Sequence, residues 1–225
     1  MSVAIPSDVD RLFAGAEADY ARSTPLAQTW HRLDTCVRRT DAGAGLPEGF
    51  GAGDARLVYL SLGSLGSADV ELMRRLVAEL AESPHRFVVS KGPQHAEYGL
   101  ADNMWGAEFL PQPAILPLVD AVVTHGGNNT TTECFHFGKP MVALPLFWDQ
   151  YDNAQRVDET GFGIRLDTYG FADGDLRAAV DAVLDDTARH ERLQAVAERV
   201  RRTPGTVRAA DLLERLAATG EPVAR

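Results

Sequence analysis

Short apolar runs alternate along this chain with segments of helical periodicity, and that alternation constrains the fold more than any other feature. From Arg56 onward, apolar runs such as residues 57–62 and 121–124 carry almost no charged side chain. Strands of this type are buried on both faces of a parallel sheet that helices cover. Residues 69–82, with apolar positions three and four residues apart, predict one of those helices. The pattern therefore predicts an α/β fold, a Rossmann-like doubly wound parallel sheet.

The remaining elements are predicted in the same alternation. Strands are predicted at residues 57–62, 87–89, 104–109, 121–124, 141–144 and 164–166. Helices are predicted at residues 69–82, 129–137, 151–160, 175–184, 187–201 and 207–218. These segments make a sheet of about six strands, with extra helices at the C-terminal end of the chain.

Residues 1–54 have a different composition. A short amphipathic stretch is predicted at 7–20, and glycine and proline are dense between 40 and 53, which indicates a loop or linker. We expect residues 1–54 to form an N-terminal segment and interdomain linker rather than a domain. We expect residues 55–225 to form the α/β domain.

The charge balance and the cysteine count exclude several classes of protein. The chain has 22 Lys and Arg against 32 Asp and Glu, a formal net charge of −10, which disfavours a nucleic-acid partner. Two cysteines, Cys36 and Cys134, are too few for a disulfide framework or a zinc site. No apolar run approaches the roughly 20 residues of a membrane span, and no signal peptide is visible. We predict a cytoplasmic protein without a metal site.

Polar residues directly follow four of the predicted strands. In chain order they are Gly63 and Ser64, Pro111 and Gln112, the segment 125–130, and Asp149 and Gln150. Ligands of doubly wound sheets bind beyond the carboxyl ends of the strands. Because those ends meet at one edge, we expect these four clusters to form a single ligand site.

The most informative cluster is the sequence HGGNNTTTE at residues 125–133. Two glycines let the backbone approach a ligand closely, and the helix that follows presents unpaired N–H groups and a positive dipole end. Together with His125, this end could hold a diphosphate without any lysine. The alternative is that Asn129 or Thr130 caps the helix, with Thr130 and Glu133 forming a capping box.

Glu133 has a second interpretation as a ligand group. A carboxylate one turn into this helix can accept hydrogen bonds from both hydroxyls of a ribose, as acidic residues do in dinucleotide-binding folds. That interpretation favours a ribonucleotide over a deoxyribonucleotide, which lacks the 2′-hydroxyl.

These segments together resemble the donor-binding signature of family 1 glycosyltransferases. The family comprises inverting enzymes of GT-B fold that use nucleotide-diphosphate sugars, among them macrolide and plant secondary-metabolite glycosyltransferases. The resemblance rests on LSLGS at 60–64, FLPQ at 109–112, THGGNNTTTE at 124–133, GKPMV at 138–142 and DQ at 149–150. It implies one half of a GT-B fold, with a UDP-sugar as donor substrate and neither a cofactor nor a metal.

The resemblance also implies roles for the nucleotide-binding residues. Phe109, where the family has Trp, would stack on uracil, and Gln112 would contact the base or the ribose. The diphosphate would be held by Ser64, His125, Gly127, Asn129 and Thr130. Gly63 and Asn128 complete that part of the predicted site, although plant members have Trp at the place of Asn128.

For the sugars, the resemblance implies that Glu133 binds the ribose hydroxyls, while Asp149 and Gln150 bind hydroxyls of the donor sugar. Family members have a second, N-terminal domain that binds the acceptor and carries the catalytic His with its partnering Asp. We therefore assign no catalytic residue in this chain. The other histidines, which lie in no matching motif, are His31, His85, His95, His136 and His190.

The expected function is inverting hexosyl transfer from a UDP-sugar to a small-molecule acceptor hydroxyl, and here mainly its donor-binding half. Two alternatives stay open. In the first, the chain is a non-catalytic sugar-nucleotide-binding subunit or a truncated fragment that needs a separate acceptor domain, and its partner is an acceptor-domain chain or a second copy. In the second, the chain is a sugar-nucleotide epimerase, a class of enzyme that shares the fold at large.

One further pattern in the sequence could indicate a metal site. Asp173-Gly174-Asp175 matches the Asp-x-Asp metal motif of another glycosyltransferase class, but it directly precedes a predicted helix. Helix capping is therefore the favoured explanation of these residues.

Overall fold

The computed structural model describes residues 18–20, 23–37, 45–51, 53–202 and 204–224. Most of the amphipathic stretch predicted at 7–20, and part of the linker predicted at 40–53, lie outside these ranges. None of the helices in the described ranges has the length and hydrophobicity that crossing a membrane requires. The proposed division of the chain after residue 54 stays a prediction.

Within the described residues, six strands form one parallel sheet in the order β3-β2-β1-β4-β5-β6. They are β1 (Leu57–Ser61), β2 (Arg86–Ser90), β3 (Met104–Ala107), β4 (Ala121–Thr124), β5 (Met141–Ala143) and β6 (Gly163–Arg165). In register, Val58 of β1 pairs with Phe87 on one side and Ala121 on the other. Every residue of β1 and β4 is buried, which explains their apolar composition. The predicted sheet is confirmed.

Helices connect the strands and follow the last one. They are α1 (Gly63–Gly66), α2 (Val70–Ala81), α3 (Gln112–Ile115), α4 (Asn128–Phe137), α5 (Gln150–Glu159), α6 (Asp175–Asp185), α7 (Thr187–Arg202) and α8 (Gly205–Thr219). The carboxylate of Asp69 accepts the N–H of Leu72 at 3.0 Å, so α2 begins where the sequence predicts. Gly138 ends α4 in the left-handed conformation at φ 66°.

Two hydrophobic clusters hold helices to opposite faces of the sheet. Alternate residues of β1 point to opposite faces, so Leu60 packs in the cluster that includes α2 and α6. Tyr59 packs in the other cluster, with α4 and α7. There Phe135 meets Phe162 edge to face, with ring centroids 5.1 Å apart. Because both faces are covered, the carboxyl edge of the sheet is left to position ligand-binding residues.

The Asp173-Gly174-Asp175 segment forms a turn rather than the predicted side-chain cap. Gly174 precedes α6 with φ 91°, and no side chain caps that helix. The Asp175 carboxylate instead accepts the N–H of Ala172 at 2.7 Å, because the left-handed glycine turns the chain back toward it. Across the described ranges, no three His, Cys, Asp or Glu side chains lie close enough to share a metal ion.

Candidate functional site

A cleft of about 500 Å³ opens at the carboxyl ends of β1, β4 and β5. The strand order reverses between β1 and β4, and ligands of doubly wound sheets bind at such a switch point. All the predicted site residues line it: Gly63, Ser64, Phe109, Gln112, His125, Gly127, Asn128, Asn129, Thr130, Glu133, Asp149 and Gln150. The sheet topology thus brings four separate sequence clusters to one place. Their roles in binding stay predictions.

The N-terminal end of α4 has no side-chain cap. Gly127 is the residue before the helix, with extended backbone angles, and α4 begins at Asn128. The N–H of Thr131 is the first to bond within the helix, to the Gly127 carbonyl at 3.0 Å. The N–H groups before it belong to the first turn, where an anion is the favoured partner. The predicted cap by Asn129 or Thr130 is therefore wrong.

Glu133 and Thr130 form no capping box, because α4 begins ahead of Thr130. The Gln112 amide instead donates from Nε2 to Glu133 Oε2 at 2.5 Å and to the Thr130 hydroxyl at 3.2 Å. Glu133 is only 6% exposed, yet it borders the cleft. An ionised carboxylate only accepts hydrogen bonds, so hydroxyl groups of a ligand would be suitable partners for it.

His125 lies between two glycines that make room for its ring. A Cβ on Gly127 would come within 2.5 Å of His125 Nε2, and one on Gly63 within 3.0 Å of the same atom. Gly63 also has φ 70°, which disfavours other residues. Both glycines are therefore required for the observed ring position.

Burial lowers the pKa of His125 below its usual 6.5, against the opposing effects of the Asp149 charge and a hydrogen bond with the Ser61 backbone. The imidazole is therefore mainly neutral at pH 7. An anion beside it would favour the protonated ring, so a bound phosphate and a proton on His125 would stabilise each other.

The opposite end of the cleft contains the exposed ring of Phe109, which is 58% accessible, together with Ser90 and Gly92. Tyr59 lies buried beneath, bonded to the hydroxyls of Ser61 and Ser90, and burial raises its pKa to about 12. Its hydroxyl is therefore protonated at neutral pH. Ser90 and Gly92 were missed by sequence reasoning, although they follow a strand just as the predicted clusters do.

Gln150 uses its side chain to hold the loop between β5 and α5. Its Oε1 accepts the N–H groups of Leu146 at 3.0 Å and Phe147 at 3.2 Å. Gln150 is 4% exposed, whereas Trp148 in the same loop is 78% exposed and has φ 54°. Phe147 of this loop also lines the cleft. The loop therefore presents Trp148 and Asp149 to the cleft on a fixed backbone.

Asn153 is a further residue that sequence reasoning missed. It lies on α5 and is 3% exposed, and its amide bonds to residues of the cleft wall. The sequence could have indicated Asn153, because it is a polar residue on the face of α5 that also carries Ala154 and Val157, both of which are buried.

None of the other described histidines lines the cleft. They bond elsewhere: His31 to Val223, His85 to Asp181, His136 to Thr35 and His190 to Leu184, while His95 lies 3.6 Å from Glu108. That none of them is catalytic stays a prediction.

The sheet order and the cleft at its switch point define a doubly wound α/β protein with a cleft at the carboxyl edge of its sheet. A family model described as UDP-glucoronosyl and UDP-glucosyl transferase matches residues 25–199. The chain belongs to this family.

Individual relatives agree with the family match. The NDP-glycosyltransferase YjiC of Bacillus subtilis (strain 168) is 30% identical over 164 residues, 72% of this chain and 42% of the relative. Human UDP-glucuronosyltransferase 1A9 is 32% identical over 144 residues, 63% of this chain and 27% of the relative. The chain thus spans less than half the length of these curated relatives.

Solved structures show the same fold. The glycotransferase of kitacinnamycin superimposes with a TM-score of 0.71 at 31% identity, over 81% of this chain and 48% of that one. The calicheamicin glycosyltransferase CalG4 does so with a TM-score of 0.68 at 26% identity, over 80% and 45%. The fold is therefore that of one half of a GT-B glycosyltransferase.

Proposed function

We propose that the cleft binds a UDP-sugar and that the chain supplies the donor-binding part of an inverting glycosyltransferase. The reaction is hexosyl transfer to the hydroxyl of a small-molecule acceptor. The observation that carries the proposal is the convergence of all the predicted donor-binding residues on one cleft beside the uncapped end of α4. Family membership supports the same reaction class.

The diphosphate of the donor lies at the N-terminal end of α4 in this proposal. No Lys or Arg is among the described residues that line the cleft, so neutral donors must compensate the phosphate charge. Backbone N–H groups of the first turn, His125 and the hydroxyls of Ser64 and Thr130 are available for this. A hydrogen bond to a charged group contributes about 1.5–3 kcal/mol, so a few of them hold a diphosphate without a metal.

The other parts of the donor follow from that placement. Uracil stacks on the exposed ring of Phe109, and the ribose hydroxyls donate to Glu133. Asp149 accepts hydroxyls of the transferred sugar. Gln150 contributes mainly by holding the loop, because its Oε1 already accepts two backbone N–H groups.

In the reaction, the acceptor oxygen attacks the anomeric carbon as its proton passes to a general base. The bond from that carbon to the β-phosphate oxygen breaks, and its electron pair leaves with UDP. The helix end and His125 stabilise the negative charge that develops on the leaving phosphate. The resemblance assigns the base to the family's acceptor-binding domain, and no cleft residue is proposed for that role.

A second candidate is a sugar-nucleotide-binding subunit that is active only with a separate acceptor-domain chain or a second copy. The epimerase alternative is not supported, since the family match and the relatives described above are glycosyltransferases. A cytoplasmic location stays a prediction.

The proposal is tested by incubating the protein with UDP-glucose and a panel of phenols and alcohols, measuring UDP release and the anomeric configuration of any glycoside. Acceptor-dependent UDP release with inversion supports the full proposal. UDP-glucose binding without release favours the binding subunit. Failure to bind UDP or UDP-glucose contradicts both.

A further inference from the structure

One buried amide joins three parts of the cleft wall. Asn153 Nδ2 donates to the Gly126 carbonyl at 2.7 Å and to Asn128 Oδ1 at 3.0 Å. The same nitrogen lies 3.2 Å from Asp149 Oδ2. These acceptors belong to the β4–α4 loop, to the first residue of α4 and to the residue that precedes α5.

Asn153 is buried, and the first turn of α5 fixes its backbone. The residue is 3% exposed, and its backbone N–H bonds to the Asp149 carbonyl at 2.9 Å, in the first turn of α5. An amide nitrogen has two hydrogens, so three acceptors share them. A side chain without a donor at this point would leave the buried Gly126 carbonyl without this bond, which is unfavourable for a buried polar group.

We propose that Asn153 is a positioning residue that fixes the diphosphate end of the cleft relative to its sugar end. The inference rests on the proposed function of the cleft. Gly126 and Asn128 determine where the uncapped end of α4 lies, and Asp149 is the carboxylate assigned to the donor sugar. Because one side chain bonds to all three, it sets the distance that a bound UDP-sugar must span, although it does not itself line the cleft.

The chain contains a matched control for this residue. Asn103 Nδ2 also has three acceptors, the carbonyls of Leu80, Ser83 and His85 at 3.0, 3.2 and 3.1 Å. Asn103 precedes β3 and therefore lies at the amino edge of the sheet, opposite the cleft. Replacing either asparagine by alanine removes the same kind of bonds, but only Asn153→Ala acts on the proposed site.

Two measurements compare Asn153→Ala with Asn103→Ala. In calorimetric titrations we expect Asn153→Ala to weaken UDP-glucose about tenfold or more, and Asn103→Ala to leave it within about twofold of the wild type. In hydrogen exchange without ligand, we expect Asn153→Ala to speed exchange of the amides at 126–130 and 146–149, and Asn103→Ala to leave them unchanged. Asn153→Ser, which keeps one donor, should be intermediate in both.

Equal UDP-glucose affinity for the two alanine variants, or unchanged exchange at 126–130 and 146–149 in Asn153→Ala, would overturn the inference. If Asn153→Ala does not fold, Asn153→Ser gives the same comparison. A wild-type protein that binds no UDP contradicts the proposed function instead, and the exchange measurement then still decides whether Asn153 holds the cleft wall.

Discussion

Replacing Glu133 by alanine should abolish the discrimination between UDP and dUDP. Glu133 is 6% exposed and borders the cleft, and its Oε2 accepts the Gln112 amide at 2.5 Å. In the proposed binding mode this carboxylate accepts one hydrogen bond from each of the two ribose hydroxyls. dUDP can use only the 3′-hydroxyl, whereas UDP uses both.

The expected magnitude follows from the number of hydroxyls lost. A hydrogen bond to a charged group contributes about 1.5–3 kcal/mol, so Glu133→Ala costs UDP about 3–6 kcal/mol. This corresponds to an affinity loss of about 10²- to 10⁴-fold. dUDP loses one such bond, so its affinity falls about 10- to 10²-fold. The wild-type protein should therefore prefer UDP over dUDP by about 10- to 10²-fold, and in Glu133→Ala this ratio should be near one.

Calorimetric titration of both nucleotides into wild type and variant measures this directly. Glu79→Ala is a suitable control, because Glu79 is also enclosed, with a side chain 11% exposed and a bond to the Gly174 N–H, yet it does not line the cleft. Equal losses for UDP and dUDP in Glu133→Ala would refute the assignment of Glu133 to the ribose. A similar effect of Glu79→Ala would attribute the loss to folding.

Three further changes test other parts of the account. The free energy of unfolding should fall as the pH drops below 6.5, because burial lowers the pKa of His125 and of His136 and the unfolded chain therefore binds protons that the folded one does not. Urea titrations at several pH values should show a less steep fall for His125→Gln. An unchanged dependence on pH in this variant would contradict a neutral His125. Gly106→Ala should destabilise the folded protein by about 1–3 kcal/mol or more, because its Cβ would come within 2.1 Å of the Val89 carbonyl oxygen. Gly99→Ala is the control, since Gly99 has open space around it, and this variant should change the thermal midpoint of unfolding little. UDP affinity should not change on adding EDTA, and a requirement for Mg²⁺ would contradict a diphosphate held by protein groups alone.

Most of the fold could be predicted because burial on both faces determines which residues a central parallel strand contains. The apolar runs at 57–62 and 121–124 correspond to β1 and β4 within one residue at each end. The helices predicted at 69–82 and 129–137 likewise correspond to α2 and α4 within one residue at each end, with Asp69 as the cap of α2 and Gly138 directly after α4. Each of these features depends on residues that are close together in the chain, so a single sequence is enough to predict them.

The site could be predicted as a set of residues but not as a network of bonds. Sheet topology dictates that residues after adjacent strands converge, and this brought His125 and Asp149 together. The partners of side chains depend on contacts between distant segments. Glu133 therefore bonds to Gln112, 21 residues away, instead of forming the local capping box. Asn153 was missed for the same reason, since its Gly126 acceptor lies 27 residues away.

In the proposed function, the uncapped end of α4 and the cleft beside it bind uridine diphosphate. Calorimetric titration of the protein with UDP, with ADP as comparison, tests this binding without any acceptor. We expect UDP to bind in the micromolar range and ADP to bind much more weakly, because Phe109 and Gln112, which line the cleft, are assigned to uracil in the proposed mode. No binding at millimolar UDP, or equal binding of ADP, would contradict it.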